Sequence, residues 1–573
     1  MSPFLTDIIK KKYFKDVIAL IIILLISLWI CAPLFQNALP KTHDSLASIV
    51  KYLSMEKFIG HGQLLPRWIP DYHGGYGGPL FNFYPPLFFL IAFVVSLFIK
   101  GSFLSINFAS FLVYTGTGVA MYFLGRALWG RMAGLVSASA YLLAPYHLVD
   151  LYVRGAQSES TALIFLPLIF LGILMLFRNK YIAGTVLFSG GIFGIMISHS
   201  LTTMLFMPFA LIYFLVLLAI SSERGIFFIH TVSAFLVGVG LAAFFWVPMM
   251  FEKVFIHQEV MTAGYFNYTK HFVYPFQLIR PFWGYVNSPH GFALDRMSYS
   301  VGWVHLLLSV TTLLLMIRPR FSIEKVTAVV LALIAISAAF LTTAYSQIIW
   351  VHAPLLSMAQ FPWRFLSIVA FALSVLAGGL LTRIPHMKWR IAGGCLCVAV
   401  LIIVNINYAK PVSTVSFPGL TTDTFYVSRT GDIGEFTPIQ VKFNPPEEKL
   451  QEYQIIGGNL WINRAMSVTP VNHVLYVTAQ TTSEVCRASY YFPGWTVRID
   501  DKETSFFSNP YGFMCFVVSP GKHKVNIDFG ATPIRLIAVG ISWASVAVLI
   551  FLLFLYSRRR DRGILDRYDS SAY

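Results

Sequence analysis

Long apolar runs separated by short polar segments make up most of the chain. A helix needs about 20 consecutive apolar residues to cross the hydrocarbon core of a bilayer, which is about 30 Å thick. Runs of about this length predict twelve membrane-spanning helices. They lie at residues 16–35, 103–125, 132–148, 160–177, 181–198, 201–220, 226–250, 301–317, 326–345, 365–382, 391–408 and 533–556.

The apolar segment 85–99 can be interpreted in two ways. A full crossing would place Arg126 and Arg131 outside and would invert every later loop. A re-entrant or half-buried helix on the outer side keeps the basic loops cytoplasmic, as the positive-inside rule requires, and we prefer it. Both termini are then cytoplasmic. The basic residues assigned to the cytoplasmic side are Lys10, Lys11, Lys12, Lys15, Arg126, Arg131, Arg178, Lys180, Arg224, Arg318, Arg320, Lys325, Arg383, Lys388, Arg390, Arg558, Arg559 and Arg560.

The pattern changes in residues 409–532, where the hydrophobic density falls and apolar and polar residues alternate, for example in 439–443 and 524–529. Such alternation indicates half-buried strands, and turn sequences at 492–495, 500–502 and 519–522 separate them. We therefore predict a polytopic α-helical membrane protein with a small extracytoplasmic β-sandwich domain. The predicted parts are a multi-span domain (1–408) with outer loops 36–84, 149–159, 251–300 and 346–364, the β-sandwich (409–532), and a final membrane helix with a basic cytoplasmic tail (533–573).

Composition supports this class. Of the 573 residues, 57% are hydrophobic and 12% are charged, which excludes an array of soluble domains. The excess of 42 basic over 26 acidic residues is explained by short cytoplasmic loops rather than by binding to nucleic acid. The predicted location is the inner (cytoplasmic) membrane. Cys486 and Cys515 both lie in the β region and could bridge two neighbouring strands.

The outer loop 36–84 is rich in ionisable and glycine residues. Its apolar residues Leu46, Ile49, Val50, Leu53 and Phe58 recur at helical spacing, which predicts an amphipathic helix at the membrane surface. Asp44 precedes this helix and could simply cap it. Further ionisable residues in the loop, however, exceed what capping needs and favour a functional site. They are His43, His61, Arg67, Asp71 and His73.

Three other predicted outer segments carry candidate residues. Asp150, Arg154 and Glu159 lie where two spans meet, and a guanidinium there suits phosphate recognition, although the three could form only a salt bridge. His199 separates two apolar runs and could be functional or structural. Arg364 follows Gln360-Phe361-Pro362-Trp363 at the mouth of a span, where it could bind a lipid phosphate or only extend towards the headgroups.

Several signatures of other function classes are absent from the sequence. There is no P-loop, no nucleotide-binding glycine pattern and no Cys/His zinc spacing. The cofactor is therefore unknown. No metal site is assigned, although Asp44 and Glu159 could together hold a divalent cation.

Three features resemble the GT-C superfamily of membrane glycosyltransferases. They are the position of Asp44, the amphipathic helix and the sequence Tyr84-Pro85-Pro86-Leu87. The resemblance implies a polyprenyl-phosphate sugar donor and a reaction on the outer face, with an acidic residue of the first loop at the reacting centre. Asp44 matches that residue, with Asp150 or Glu159 as a partner. The chain departs from the pattern in having Tyr84 where a lysine or histidine often precedes the double proline.

Two further resemblances cover most of the remaining chain. Residues 152–159, 360–365 and 431–438 resemble bacterial membrane proteins catalogued as related to 6-pyruvoyl-tetrahydropterin synthase. Residues 491–500 and 520–523 are similar to the outer domain of YfhO-type proteins.

These observations predict an inverting glycosyltransferase that moves a sugar from a polyprenyl-phosphate donor to an envelope glycan, lipid or protein. Asp44 is the predicted catalytic base. The predicted substrate- and phosphate-binding residues are His43, Arg67, Arg154, Glu159, His199 and Arg364. Membrane lipids are predicted partners and nucleic acid is not. The alternatives are a lipid or polysaccharide flippase and an envelope assembly protein without catalysis.

Overall fold

The computed structural model describes the backbone of residues 3–287, 297–317, 322–420, 434–445 and 450–569, with side chains from residue 14 to residue 558. Some of the sequence predictions above fall outside the described residues or side chains. They concern the basic residues Lys10, Lys11, Lys12, Arg318, Arg320, Arg559 and Arg560, and the first part of the motif at 431–438.

Helices form most of the described structure. They are Pro3–Cys31 (α1), Ser45–Gly60 (α2), Tyr72–Gly75 (α3), Leu80–Phe83 (α4), Leu87–Ser96 (α5), Ser102–Trp129 (α6), Arg131–Leu142 (α7), Pro145–Val149 (α8), Gln157–Ala162 (α9), Phe165–Phe177 (α10), Tyr181–Ser198 (α11), Ser200–Ile220 (α12), Arg224–Leu241 (α13), Ala243–Glu252 (α14), Pro275–Ile279 (α15), Trp303–Leu315 (α16), Ile323–Leu341 (α17), Gln347–His352 (α18), Leu366–Gly379 (α19), Met387–Asn405 (α20) and Pro533–Asp569 (α21).

Among the described residues, ten helical stretches are long and apolar enough to cross a membrane, or eleven if one bent pair counts as a span. The bent pair corresponds to the predicted span 132–148. It breaks by 44° between α7 and α8, because Pro145 disfavours the helical conformation in the residue before it. A second predicted span, 301–317, contains only the 13-residue helix α16.

Helix α5 lies in the segment with two interpretations, 85–99. Its ten residues rise about 15 Å, which is half of the hydrocarbon thickness. The length of α5 therefore fits the re-entrant interpretation.

The strands pair into three antiparallel sheets. One is a short pair near the first membrane helix, β1 with β2. The others have the orders β3-β6-β10-β9 and β4-β5-β11-β7-β8. The strands are Leu39–Pro40 (β1), Thr414–Val415 (β2), Tyr453–Gly457 (β3), Leu460–Thr469 (β4), Asn472–Ala479 (β5), Ser483–Tyr490 (β6), Trp495–Ile499 (β7), Lys502–Thr504 (β8), Phe506–Ser508 (β9), Phe513–Val518 (β10) and Gly521–Phe529 (β11).

The two larger sheets form a β-rich domain near the C-terminus. Buried residues of both sheets, such as Val485 and Val525, belong to one hydrophobic cluster. Cys486 lies opposite Cys515 on the neighbouring strand, and the two form a disulfide. The prediction of a polytopic helical membrane protein with a β-rich domain is thereby confirmed.

The predicted strand at 439–443 is wrong. Its amides bond to scattered acceptors instead of to one partner strand: that of Ile439 donates to the Phe255 carbonyl (2.9 Å) and that of Lys442 to the Pro510 carbonyl (3.0 Å). The alternating residues therefore serve a loop that packs between α14 and the β domain.

The first loop packs directly on the β domain. Trp68 is buried and lies against Phe492 and Trp495, with ring centroids 6.3 and 5.7 Å away. The amide of Tyr490 donates to the carbonyl of Tyr76 (2.7 Å). Contacts of large aromatic side chains dominate interface energies, so the loop and the β domain pack together as one unit.

Candidate functional site

Asp44 immediately precedes α2, but its side chain makes no capping hydrogen bond and is exposed. The backbone fixes it in place. The amide of His43 donates to the carbonyl of Val153 and the amide of Asp44 to the carbonyl of Arg154, both at 3.0 Å. Residues 150–154 form a π-helical turn, a feature frequent at functional sites. The carboxylate of Asp44 is therefore held beside this turn without serving as a helix cap.

Gly155 allows this close approach. Its φ is +68°, in the left-handed region, and a Cβ at this position would overlap the Thr42 hydroxyl. A second link joins α2 to the same segment, because the Ser48 hydroxyl donates to Gln157 Oε1 (2.6 Å). The first loop and the 150–159 segment thus contact each other through backbone, side chains and a glycine.

The π-helical turn contributes to a buried ionic cluster centred on Arg154. Its Nη1 donates to Asp150 Oδ1, to Glu159 Oε2 (2.8 Å) and to the Tyr146 hydroxyl (3.0 Å). Tyr146 in turn donates to Glu159 Oε1 (2.7 Å). The guanidinium also lies over the ring of Trp363, 4.7 Å from its centroid. Arg154 is therefore held by both acids and by two aromatic residues.

Arg364 joins the cluster from the other side. Its Nη1 donates to the Ala359 carbonyl (2.8 Å) and to Gln360 Oε1 (3.2 Å). Its Nε lies 3.8 Å from Glu159 Oε2 and has no hydrogen-bond partner among the described residues. Two arginines and two acids balance each other in charge, and Arg364 keeps one donor for a further group.

Lys51 is a residue that the sequence analysis did not select. It lies seven residues after Asp44, two turns along α2, and its ammonium is 4.1 Å from the ring centroid of Tyr84. Burial lowers the pKa of Lys51, but the neighbouring Tyr84, Asp44 and Glu435 outweigh it and hold the pKa above its usual value. A cation therefore stands next to Tyr84, supplied by α2 rather than by the residue before Pro85.

The structure brings His43 to this region, places His199 in a capping position near the cluster, and places Arg67 elsewhere. His43 Nε2 lies 3.1 Å from the Tyr285 carbonyl. His199 caps α12, since its Nδ1 accepts a hydrogen bond from the Thr202 amide (3.2 Å), although it still interacts electrostatically with Glu159.

Arg67 belongs to a separate network. Its guanidinium donates to Asn82 Oδ1 (2.9 Å) and to the Phe244 carbonyl (2.5 Å). The Asn82 amide group donates to Glu252 Oε2 (2.8 Å), which also accepts from Arg535 Nη2 (2.9 Å). This buried chain of contacts ties the first loop to α14 and α21, away from Asp44.

A small pocket of about 20 Å³ lies between the first loop and the cluster. Asp150 lines it, and Asp150 Oδ2 has no hydrogen-bond partner among the described residues. A hydroxyl group in the pocket would complete the coordination of this carboxylate. Other polar residues that line the pocket include Thr42, Ser45, Asn107 and Gln157.

A divalent cation held by Asp44 and Glu159 would have to share the oxygens of Glu159 with groups that already bind them. Both oxygens of Glu159 already accept hydrogen bonds, from Tyr146 and Arg154. Within the described part of the chain, one group of donor atoms has metal-ligand spacing, Glu484 with Cys486 and Cys515. Its two cysteines form the disulfide, which leaves no thiolate for a metal.

Several solved membrane proteins have similar structures. Arabinofuranosyltransferase AftD from Mycobacteria matches with 14% identity and a TM-score of 0.45, over 70% of this chain and 27% of AftD. The Archaeoglobus fulgidus oligosaccharyltransferase matches with 13% identity and a TM-score of 0.43, over 75% of this chain and 60% of that one. ArnT from Cupriavidus metallidurans, bound to undecaprenyl phosphate, matches with 14% identity and a TM-score of 0.40, over 72% of this chain and 67% of ArnT. Likenesses at this level do not establish a common activity.

Sequence comparison identifies relatives and a family. A protein of Lactococcus lactis subsp. cremoris (strain MG1363), described as uncharacterized, is 27% identical over 271 residues, which are 43% of this chain and 40% of that protein. The model of the 6-pyruvoyl-tetrahydropterin synthase related domain, described as a membrane protein, matches residues 81–412, more than half of the chain. The protein therefore belongs to the 6-pyruvoyl-tetrahydropterin synthase-related family of membrane proteins.

Proposed function

We propose that this protein is an inverting glycosyltransferase that moves a sugar from a polyprenyl-phosphate donor to an envelope acceptor. The observation that carries the proposal is the exposed Asp44 carboxylate, which caps no helix and interacts electrostatically with Lys51 and with the buried Arg364. An ionisable cluster where a membrane helix meets water is costly to maintain, and such clusters commonly mark functional sites.

In the proposed reaction Asp44 takes the proton of an acceptor hydroxyl. The acceptor oxygen forms a bond to the anomeric carbon of the sugar, and the bond from that carbon to the phosphate oxygen breaks. The electron pair leaves with the polyprenyl phosphate, whose new negative charge requires cationic groups nearby.

Lys51 and Arg364 are the proposed phosphate-binding residues, with His43 at the edge of the same region. The geometry gives a reason for Lys51 and a reason for Arg364. The Lys51 ammonium lies beside Tyr84, and Arg364 Nε has no hydrogen-bond partner among the described atoms. Arg154 and Glu159 position this site through their mutual ion pair. Arg67 is left out because its donors are used in the separate network with Asn82.

The test is transfer of radiolabelled sugar from purified polyprenyl-phosphate donors to an envelope extract in proteoliposomes. We expect Asp44→Asn to lower the rate by about 10²–10⁴-fold, the usual contribution of a general base. Glu56→Gln is the matched control, because Glu56 lies on the same helix and accepts a hydrogen bond from Tyr52 instead of facing the cluster. Lys51→Met should raise the KM for the donor.

Equal transfer by wild type and Asp44→Asn would contradict the assignment of the base. Donor lipid that changes leaflet without any transfer would support a flippase instead.

We further propose an inner-membrane location with both termini cytoplasmic and the β domain outside. The proposal follows from the basic residues of the loops. In a Cys395→Ser background, a membrane-impermeant maleimide applied to intact spheroplasts should label Val468→Cys on the exposed face of β4. It should label Lys388→Cys only after lysis. The reverse pattern would refute the orientation.

A further inference from the structure

A second and larger cavity lies between the far end of α2 and the β domain. Its volume is about 410 Å³. We call it the β-domain cleft. Polar residues from both sides line it, and those that matter here are Lys57, Asp71, Glu452, His473 and Arg487.

Arg487 gives the cleft an unused donor. Its side chain is 4% exposed, and its Nη1 has no hydrogen-bond partner among the described residues. Nη2 lies 2.6 Å from His473 Nε2, and Nε lies 3.4 Å from Glu452 Oε1. The Arg487 guanidinium lies over the ring of Trp495, 5.0 Å from the ring centroid. A buried guanidinium with a spare N–H at a cavity wall is placed to donate a hydrogen bond to a ligand oxygen.

The charges in the cleft compensate each other. Lys57 is paired with Asp71 at 2.6 Å, and Glu452 stands beside Arg487. Burial, together with the charge of Arg487, lowers the pKa of His473 to about 3 and keeps the ring neutral. A cleft with many donors and acceptors but no net charge gives little attraction to an anion and many partners to hydroxyl groups.

The cleft and Asp44 lie at opposite ends of one helix. Lys57 follows Asp44 by thirteen residues along α2, which corresponds to about 20 Å. We propose that the β-domain cleft binds a neutral, hydroxyl-rich saccharide segment of an acceptor polymer whose reacting end lies at Asp44. The role as an acceptor site rests on the proposed glycosyltransferase function, whereas saccharide binding can be measured without it.

The test uses the full-length protein in lipid nanodiscs and isothermal titration calorimetry. The neutral probes are maltohexaose, cellohexaose, mannohexaose and chitohexaose, and hexagalacturonate is the acidic comparator. We expect at least one neutral probe to bind wild type, and Arg487→Met to weaken it at least tenfold, because a hydrogen bond to a charged donor is lost.

A second variant guards against misfolding of the buried Arg487 substitution. Val468 lines the cleft but is 62% exposed, so Val468→Trp should block the cleft without disturbing the core. The matched control is Arg498→Met, since Arg498 lies in the same domain and pairs with Asp528 outside the cleft.

Arg498→Met and Asp44→Asn should both bind the probe as wild type does. The proposal is overturned if wild type binds none of the neutral probes or prefers hexagalacturonate, or if Val468→Trp binds as well as wild type. Saccharide binding in a protein that performs no transfer would refute the glycosyltransferase but not the cleft. If no saccharide binds and transfer is unaffected by Val468→Trp, the cleft proposal is refuted and the glycosyltransferase function is retained.

Discussion

Glu159 is the shared acid of two buried arginines, and its removal is the sharpest test of the ionic cluster. Its Oε2 lies 2.8 Å from Arg154 Nη1 and 3.8 Å from Arg364 Nε, and its side chain is 2% exposed. Glu159→Gln keeps the shape but removes the charge. Two guanidiniums then share the single charge of Asp150.

The expected cost follows from burial. Removing one partner of a buried ion pair typically destabilises a protein by about 3–5 kcal/mol, because the other charge stays buried without compensation. Only the 2.8 Å contact is a full hydrogen-bonded pair, so we expect Glu159→Gln to lower the free energy of unfolding by about 3 kcal/mol. The variant Glu159→Gln/Arg154→Met restores the balance between Asp150 and Arg364. It should lose less stability than the two single variants summed, by about 1–3 kcal/mol.

The assay is a double-mutant cycle in mixed dodecyl maltoside–SDS micelles, followed by the far-ultraviolet circular dichroism of the helices. Glu56→Gln serves as the control, because Glu56 lies in the first loop outside the cluster. A loss below about 1 kcal/mol in Glu159→Gln, where buried pairs typically cost about 3–5 kcal/mol, would refute a contribution of charge balance to the stability of the cluster. Strict additivity in the cycle would show that Arg154 and Glu159 do not act on each other.

Three further predictions concern the rest of the molecule. Gly155→Ala should destabilise the contact between the first loop and the π-helical turn by about 1–3 kcal/mol, since a non-glycine residue at φ +68° is strained. Thermal unfolding measures the loss of stability, and sugar transfer measures its effect on activity. Gly190→Ala is the control, because Gly190 lies in a helix with open space around it. It should leave thermal unfolding and sugar transfer unchanged. The hydrogen bond to Asp500 raises the pKa of His523. The contact therefore stabilises the folded state below about pH 6.5. This contribution is lost as the pH rises through the raised pKa of His523. His523→Gln should therefore lower the melting temperature at about pH 5.5 and have little effect at about pH 8.5, and the opposite order would contradict the assignment. Reduction of the β-domain disulfide should cost about 2–4 kcal/mol, and an unchanged midpoint in reducing buffer would show that the crosslink contributes nothing.

Most of the helical architecture could be predicted because the bilayer imposes a length on every apolar run. The departures have local causes. The break before Pro145 interrupts one apolar run, and the helix at 303–315 covers only part of another. In the β domain, alternation correctly indicated β11 but also suggested a strand at 439–443. Period-two alternation describes an amphipathic extended segment, and whether that segment finds a partner strand is decided by tertiary structure.

The candidate site was predictable only in part. Asp44 was selected by its place after a membrane helix, and Arg154 with Glu159 by their short spacing. The contact between Glu159 and Arg364 spans about two hundred positions, and a single sequence carries no signal for it. Lys51 was not selected, because a lysine in an amphipathic helix at the membrane surface carries no signal of its own. Its proposed role depends on its contact with Tyr84, and this contact forms because the end of the first loop packs against α2.

The first loop is held at two separate places, and this arrangement fixes the position of Asp44, the proposed base. At one end its backbone bonds to residues 153 and 154 place Asp44 on the buried ionic cluster. Further along, Arg67 and Asn82 connect it to Glu252 and so to the last membrane helix. Polar networks that are almost fully satisfied in a low-dielectric interior specify one geometry, because any shift leaves a buried charge without a partner. The loop therefore has little freedom to move Asp44 relative to Arg154, and the position of the proposed base is a consequence of the two networks rather than of α2 alone.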